Sequence, residues 1–153
     1  MTRPPVNAKN FDAEHQHWLR VRIYYEDTDF TGMVYHANYL KYFERGRSDF
    51  LRDAGISHQS LLQRPDPAAF TLISANVDFK SAAKVDDVLD IRTRYLGMKG
   101  VRILFRQTAF RDDRLIAEAD IVAVFIHADG RPRKPVPELV EQLNPLIFLP
   151  PET

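Results

Sequence analysis

Asn38-Tyr-Leu-Lys-Tyr-Phe-Glu-Arg-Gly-Arg-Ser-Asp-Phe-Leu-Arg-Asp-Ala-Gly55 carries the one long helical signal of this chain. Tyr39, Phe43, Gly46, Phe50 and Ala54 recur at steps of three and four, with Leu40 and Leu51 beside them. That spacing lays a wide aromatic stripe along one helix face. Asn38 is read as the N-cap, because its side-chain oxygen can take a free helix N–H. Gly55 is read as the residue just past the end, where a left-handed conformation stops a helix. So broad an apolar face has to be covered by something equally broad.

Outward from the helix the period changes to two, the period of a strand with one buried face. Upstream, Leu19, Val21, Ile23 and Tyr25 alternate with Arg20, Arg22 and Tyr24. Downstream come Ile73, Ala75, Val77 and Phe79, then Leu89, Ile91, Thr93 and Tyr95. Val101, Ile103, Phe105, Gln107 and Ala109 follow, and then the long run Leu115 to His127. Gly97 and Gly100 are expected to bracket one turn, and Arg111-Asp-Asp-Arg114 to form another. Pro132, Pro135 and Pro137 bar further ladder pairing, and Pro137 opens a short helix to about Leu143. One strand, one long helix and four strands joined by hairpin-like links predict an α+β layer: an antiparallel five-stranded sheet curled around one long central helix. The domain is expected to span residues 18–144. Residues 1–17 read as a polar, mobile arm with His15 and His17 solvated, and residues 145–153 as a tail.

Composition narrows the chemistry. With 153 residues the chain is one domain, and it has no cysteine for a disulfide, a thiolate nucleophile or a cysteine-ligated metal. Lys plus Arg equals Asp plus Glu at 21 each, so no net charge calls for nucleic acid. The longest strongly apolar run, Ile121 to Ile126, is far short of a membrane span. Residues 1–17 have no apolar stretch, which points to the cytoplasm.

The chemically dense stretch is Tyr24-Tyr-Glu-Asp-Thr-Asp-Phe-Thr-Gly-Met-Val-Tyr-His-Ala-Asn-Tyr39, with three acids between a strand and a helix. A helix N-terminus offers free N–H groups to an oxyanion, and a carboxylate opposite can attack a carbonyl or activate water. The same acids are also ordinary capping chemistry. Asp27, Asp29 and His36 could ligate a metal, but no further ligand cluster accompanies them, so no metal and no cofactor is expected. Gly-x-Ser-x-Gly, phosphate-loop and dinucleotide fingerprints are all missing.

That run, continued through Leu-Lys-Tyr-Phe-Glu-Arg-Gly-Arg47, resembles the signature of the 4-hydroxybenzoyl-CoA thioesterase family. It is most similar to the YbgC-like, Tol-Pal system-associated acyl-CoA thioesterases. The likeness covers Leu19 to Pro137, and Val85-Asp-Asp-Val-Leu-Asp-Ile91 resembles the opening of the family's third strand. It implies a hotdog fold and hydrolysis of an acyl-CoA thioester. It implies Asp29 as the catalytic carboxylate and the backbone N–H of His36 as the oxyanion donor. The helix face and Phe70-Thr-Leu-Ile73 offer an apolar, aromatic lining, so Tyr35, Phe70, Thr71, Leu72 and Ile73 are read as substrate-binding, and the resemblance places Lys99 and Gly100 at a nucleotide-contact turn. Phe30-Thr31 replaces the smaller residues usual after the catalytic Asp. A related branch takes its carboxylate from the helix, which makes Glu44, one turn before Ser48, the second-choice acid. The family implies a homo-oligomer, dimer or tetramer, with sites at the subunit boundary; an acyl carrier protein is kept as a candidate further partner. Two alternatives stay open: a hotdog hydratase or dehydratase, and a non-catalytic module that binds acyl-CoA or acyl carrier protein.

Overall fold

The computed structural model describes residues 3–151. The chain runs β1 (His17–Arg22), a 3-10 turn (Tyr25–Asp27), α1 (Asn38–Asp53), α2 (His58–Leu62), β2 (Ala68–Phe79), β3 (Val88–Lys99), β4 (Arg102–Arg111), β5 (Arg114–His127) and α3 (Pro137–Leu143). A second 3-10 turn, Asn144–Leu146, follows. All five strands join one antiparallel sheet in the order β1-β3-β4-β5-β2. The architecture is the α+β arrangement the alternating runs predicted. Only β3–β4 and β4–β5 are hairpins, however. β2 instead crosses to the far edge and pairs with β5.

That edge position explains where the alternation misleads. Ile73 and Phe79 are exposed, although they keep the strand period, because β2 has no neighbour on one side and bulges between Leu72 and Ser74. Tyr25 leaves β1's alternation for the 3-10 turn and is exposed. Gly97 marks a β-bulge inside β3 rather than a turn, whereas Gly100, at φ +61°, turns β3 into β4.

The helix stripe faces the sheet: Tyr39, Tyr42, Phe43, Gly46, Phe50 and Leu51 are buried, while Leu40 is exposed. Phe50 lies 6.0 Å from the Phe105 ring and 6.2 Å from that of Tyr95. Gly46 sets how closely α1 approaches. A Cβ there would stand 2.9 Å from Gln107 Nε2 and 3.0 Å from Ile91 Cγ2 and Thr93 Oγ1. Gln107 is a polar residue in the core period, and its amide is fully used. Nε2 donates to the Phe43 carbonyl at 2.7 Å and to Thr93 Oγ1 at 2.9 Å, and Oε1 accepts from Arg47 at 2.9 Å. A buried amide so satisfied ties helix to sheet.

The stretch read as a mobile arm is packed in its described part. Phe11 is buried, 5.1 Å from the His17 ring and 5.2 Å from that of Phe50. Asp12 accepts from Gln16 Nε2 at 2.7 Å and Trp18 Nε1 at 2.8 Å. His17 is not solvated: it opens β1, is 1% exposed and places Nε2 2.7 Å from Asp53. His15 Nδ1 lies 3.1 Å from the Ile147 carbonyl. The tail also docks, with the Phe148 N–H on the Tyr95 carbonyl at 2.9 Å and its ring beneath Arg94. Residues 1, 2, 152 and 153 lie outside the described residues. No described helix is long and apolar enough to cross a membrane.

Candidate active site

β1 delivers the acidic segment to the sheet end where β2 finishes and β3 begins. Ile23 is pinned there through its N–H on the Asp87 carbonyl, 2.9 Å, and its carbonyl under the Asp86 N–H, 2.8 Å. Asp27 then clasps the loop. Its carboxylate accepts the Tyr24 N–H at 2.8 Å, and its carbonyl accepts the Tyr35 N–H and the Asn38 side-chain amide, each at 2.9 Å. Asn38 is therefore the first helical residue and not the N-cap. Ala37 stands at the cap and has no side-chain oxygen. Without a capping side chain, the N–H groups of His36 and Ala37 have no acceptor among the described residues. They remain available at the positive end of the helix dipole.

Asp29 sits on a tight reversal. Its carbonyl accepts the Gly32 N–H and its own N–H donates to the Met33 carbonyl, both at 3.0 Å. Gly32 adopts φ +76°, a conformation that costs glycine nothing. The Asp29 carboxylate is exposed and held by Thr31. The hydroxyl and backbone N–H of Thr31 keep the carboxyl below the usual carboxylate range, with help from the nearby His36 imidazole. Asp29 is therefore ionised at neutral pH. Both bonds fall on Oδ1, so Oδ2 is the oxygen left for chemistry. Asp29, Thr31, His36, Tyr39 and Phe79 line one hollow of about 410 Å³. The His36 ring is edge-on to Phe79 at 6.1 Å and packs on Tyr35 at 4.6 Å. On its other flank Asp29 borders a second hollow lined by Tyr25, Phe30 and Val85. Phe30 is fully exposed.

The profile of the thioesterase-like superfamily matches residues 23–143. The chain belongs to that superfamily. An acyl-CoA thioesterase YbgC of Haemophilus influenzae is 42% identical over 101 residues, 66% of this chain and 74% of that protein. An acyl-CoA thioester hydrolase YbgC of Escherichia coli is 36% identical over 107 residues, 69% of this chain and 78% of that one. A solved "Probable Thioesterase" from Bartonella henselae superposes with a TM-score of 0.76 at 34% identity, covering 78% of this chain and 98% of its own. A 4-hydroxybenzoyl-CoA thioesterase complexed with 4-hydroxybenzoyl-CoA shares the fold, with a TM-score of 0.76 at 22% identity and coverage of 84% and 98%. The five-stranded sheet wrapped on α1 is thus the hotdog fold of thioesterase-like proteins.

In this thioesterase-like chain the residues singled out from sequence fall into two groups at opposite sheet ends. Asp29, Tyr35 and His36 stand at the first end. Phe70, Thr71 and Leu72 stand at the other, lining a hollow of about 300 Å³ with Glu44, Arg47, Ser48 and His58. Ile73 is exposed on the β2 edge beside them. Lys99 and Gly100 turn at that same end, since Lys99 pairs with Arg102, Arg102 with Val124 and Val124 with Thr71. Glu44 accepts the Ser48 hydroxyl at 2.7 Å. Within one chain the groups are well separated: Ser48 is twelve residues past His36, about 18 Å along a helix. Sequence reading missed Thr31 as the carboxylate's anchor and His58 as a wall of the second hollow. Thr two residues after Asp is a recognisable side-chain turn signal. His58 carries no such signal, because its partner Ser48 is ten residues away on another element. Among the described residues, no three His, Asp or Glu side chains stand together as a metal site.

Proposed function

We propose that the chain hydrolyses acyl-CoA thioesters to a free acid and coenzyme A. The observation that carries this reading is the single hollow shared by the Asp29 carboxylate and the uncapped start of α1. A thioester carbonyl seated there would direct its oxygen to the His36 N–H, which stabilises the tetrahedral oxyanion. Asp29 Oδ2 would act on the carbon. As general base it takes a proton from water, whose oxygen attacks, and collapse expels the coenzyme A thiolate. As nucleophile it attacks directly, expels the same thiolate and leaves a mixed anhydride for water to open. The reaction needs no bound cofactor, and coenzyme A enters as part of the substrate.

The β2 edge supplies the rest of the proposal. Leu72 and Ile73 are exposed on an edge strand with one unpaired side, an arrangement natural proteins cover. A two-fold pairing of β2 with β2 of a second copy runs the strands antiparallel. It brings the Phe79 end of one chain, with Asp29, beside the Phe70 end of the other. Each complete site then takes its carboxylate and N–H from one copy and its acyl hollow, with Lys99 and Gly100, from the other. Apolar walls on that hollow favour aliphatic acyl groups, at about 0.8 kcal/mol per buried methylene. A panel of acyl-CoAs read by thiol release tests the reading. Turnover that falls with Asp29→Asn supports it. Rates indistinguishable from background on every thioester, with normal coenzyme A binding, would leave a binding module instead. Faster conversion of enoyl-CoA to hydroxyacyl-CoA than of any thioester to acid would indicate a hydratase.

A further inference from the structure

The hollow at the Phe70 end is apolar along Leu51, Leu72, Phe105 and Ala123, yet a guanidinium stands in its wall. Arg47 is half-buried on α1, one residue past the glycine that lets the helix approach the sheet. Its Nη1 donates to Gln107 Oε1 at 2.9 Å, and Gln107 is buried and donates in turn to the Phe43 carbonyl and Thr93 Oγ1. The guanidinium is thus fixed on its core side, with one of its five N–H donors in use among the described residues. No carboxylate lies within ion-pairing distance of it among the described residues. Glu44, one turn back on α1 and placed to reach it, gives Oε1 to Ser48 at 2.7 Å instead.

The other polar groups of this wall satisfy one another. Ser48 Oγ donates to Glu44 and lies 3.0 Å from His58 Nε2, so the hydroxyl accepts from His58 Nε2–H. The donors left for a ligand are those of Arg47. Burial holds its pKa below the ordinary arginine value, against the pull of Glu44, yet a guanidinium keeps its charge at neutral pH. It therefore stands partly desolvated with no counter-charge against it. A plain alkyl group would strip the remaining water from these N–H groups and return no hydrogen bond, which is unfavourable. A carboxylate at the far end of an acyl chain would accept two parallel N–H bonds and supply the missing charge. Glu44 opposes it only weakly, because that side chain is exposed and its charge is screened.

We propose that Arg47 makes this hollow a site for acyl groups ending in a carboxylate, so that the preferred substrates are half-thioesters of coenzyme A with aliphatic dicarboxylic acids. The proposal rests on thioester hydrolysis at Asp29 and on the paired assembly that brings this hollow to it.

Matched pairs test it: adipoyl against hexanoyl, and glutaryl against pentanoyl, each pair exchanging a terminal carboxylate for a methyl group. Each pair is measured twice, as CoA thioesters for kcat/KM and as non-hydrolysable thioether analogues for Kd by calorimetry. The expected result is a preference of at least about tenfold for the carboxylate member of at least one pair, the low end for a hydrogen bond to a charged group. Arg47→Gln, whose amide can still donate to Gln107, should bring the ratio close to one, and Arg47→Lys should keep part of it. Equal Kd values within both pairs on the unaltered protein overturn the proposal, whatever the turnover and whether or not the variants fold. A preference that survives Arg47→Gln overturns it too, and leaves Arg47 as a brace on Gln107. Hydrolysis without discrimination sinks the selectivity and spares the Asp29 reading. Discrimination by the analogues without hydrolysis does the reverse.

Discussion

Thr31 places both of its donors on one oxygen of Asp29, the backbone N–H at 2.8 Å and the hydroxyl at 2.6 Å. That double contact lowers the Asp29 pKa and leaves Oδ2 outside both bonds. A base with a lowered pKa stays deprotonated further into acid, so kcat/KM should hold to a lower pH than an ordinary carboxylate would allow. Thr31→Val removes the hydroxyl and keeps the backbone bond. The acid limb of the pH profile should then move to higher pH, while the fold is unchanged. An unmoved limb in Thr31→Val would mean that Asp29 does not carry the titration.

Asp27 and Asp29 are two residues apart and do different work. Asp27 spends its carboxylate on the Tyr24 N–H, inside the loop. Asp29 keeps one oxygen open toward the hollow. Asp29→Asn should lose at least about 100-fold in kcat while still binding acyl-CoA, the usual worth of a positioned base. Asp27→Ala should instead lower the melting temperature through a loss of about 1 kcal/mol, one net hydrogen bond, and reduce turnover only modestly. Glu44→Gln is the control for the helix carboxylate. If it matches the loss in Asp29→Asn on every substrate, Glu44 belongs to the chemistry.

The helix, the strands and the acidic loop were legible because each writes its period or its acids into adjacent residues. Leu89, Ile91, Thr93 and Tyr95 alternate, and all four are buried. What was not legible depends on partners far along the chain. Nothing near Phe11 or His17 announces that Phe50 and Asp53, on α1, will cover them. Ile73 and Phe79 keep the strand period, yet they lie on an edge that only the pairing of β2 with β5 defines. The site divides the same way: Asp29 and His36 lie seven residues apart, whereas Ser48 and His58 meet only through the fold.

The buried His17 gives a stability prediction with a definite sign. Burial lowers its pKa and outweighs the opposing pull of Asp53, its 2.7 Å neighbour. The folded state therefore holds His17 neutral at pH 7, with Nδ1 unpartnered among the described residues. The unfolded chain takes up a proton at about 6.5, the ordinary value, before the folded one does. The stability this residue contributes is complete above that value and declines as pH falls below it toward the lowered folded pKa. The melting temperature should drop between pH 7 and the acid side of 6, and His17→Gln should flatten that part of the curve. An unchanged slope in the variant would assign the acid sensitivity to other groups.

The proposed pairing of β2 with β2 makes a prediction that no single-chain site can mimic. In solution the 17.7 kDa chain should scatter light as at least a dimer, and Ile73→Asp on the β2 edge should weaken that dimer and its activity together. The sharper test mixes two inactive proteins. Asp29→Asn supplies an intact acyl hollow and no carboxylate. Ala123→Trp, at a position lining the hollow, fills that space and leaves Asp29 in place. If each site draws its carboxylate and its hollow from different copies, a mixed dimer contains one site with both defects and one with neither. Random exchange makes half the dimers mixed, so activity should return to about a quarter of wild type. If carboxylate and hollow came from the same chain, every site in a mixed dimer would still carry one defect, and activity would stay at the level of the two proteins assayed apart. Exchange itself is checked by mass, since differently tagged chains must be recovered together before either result is read.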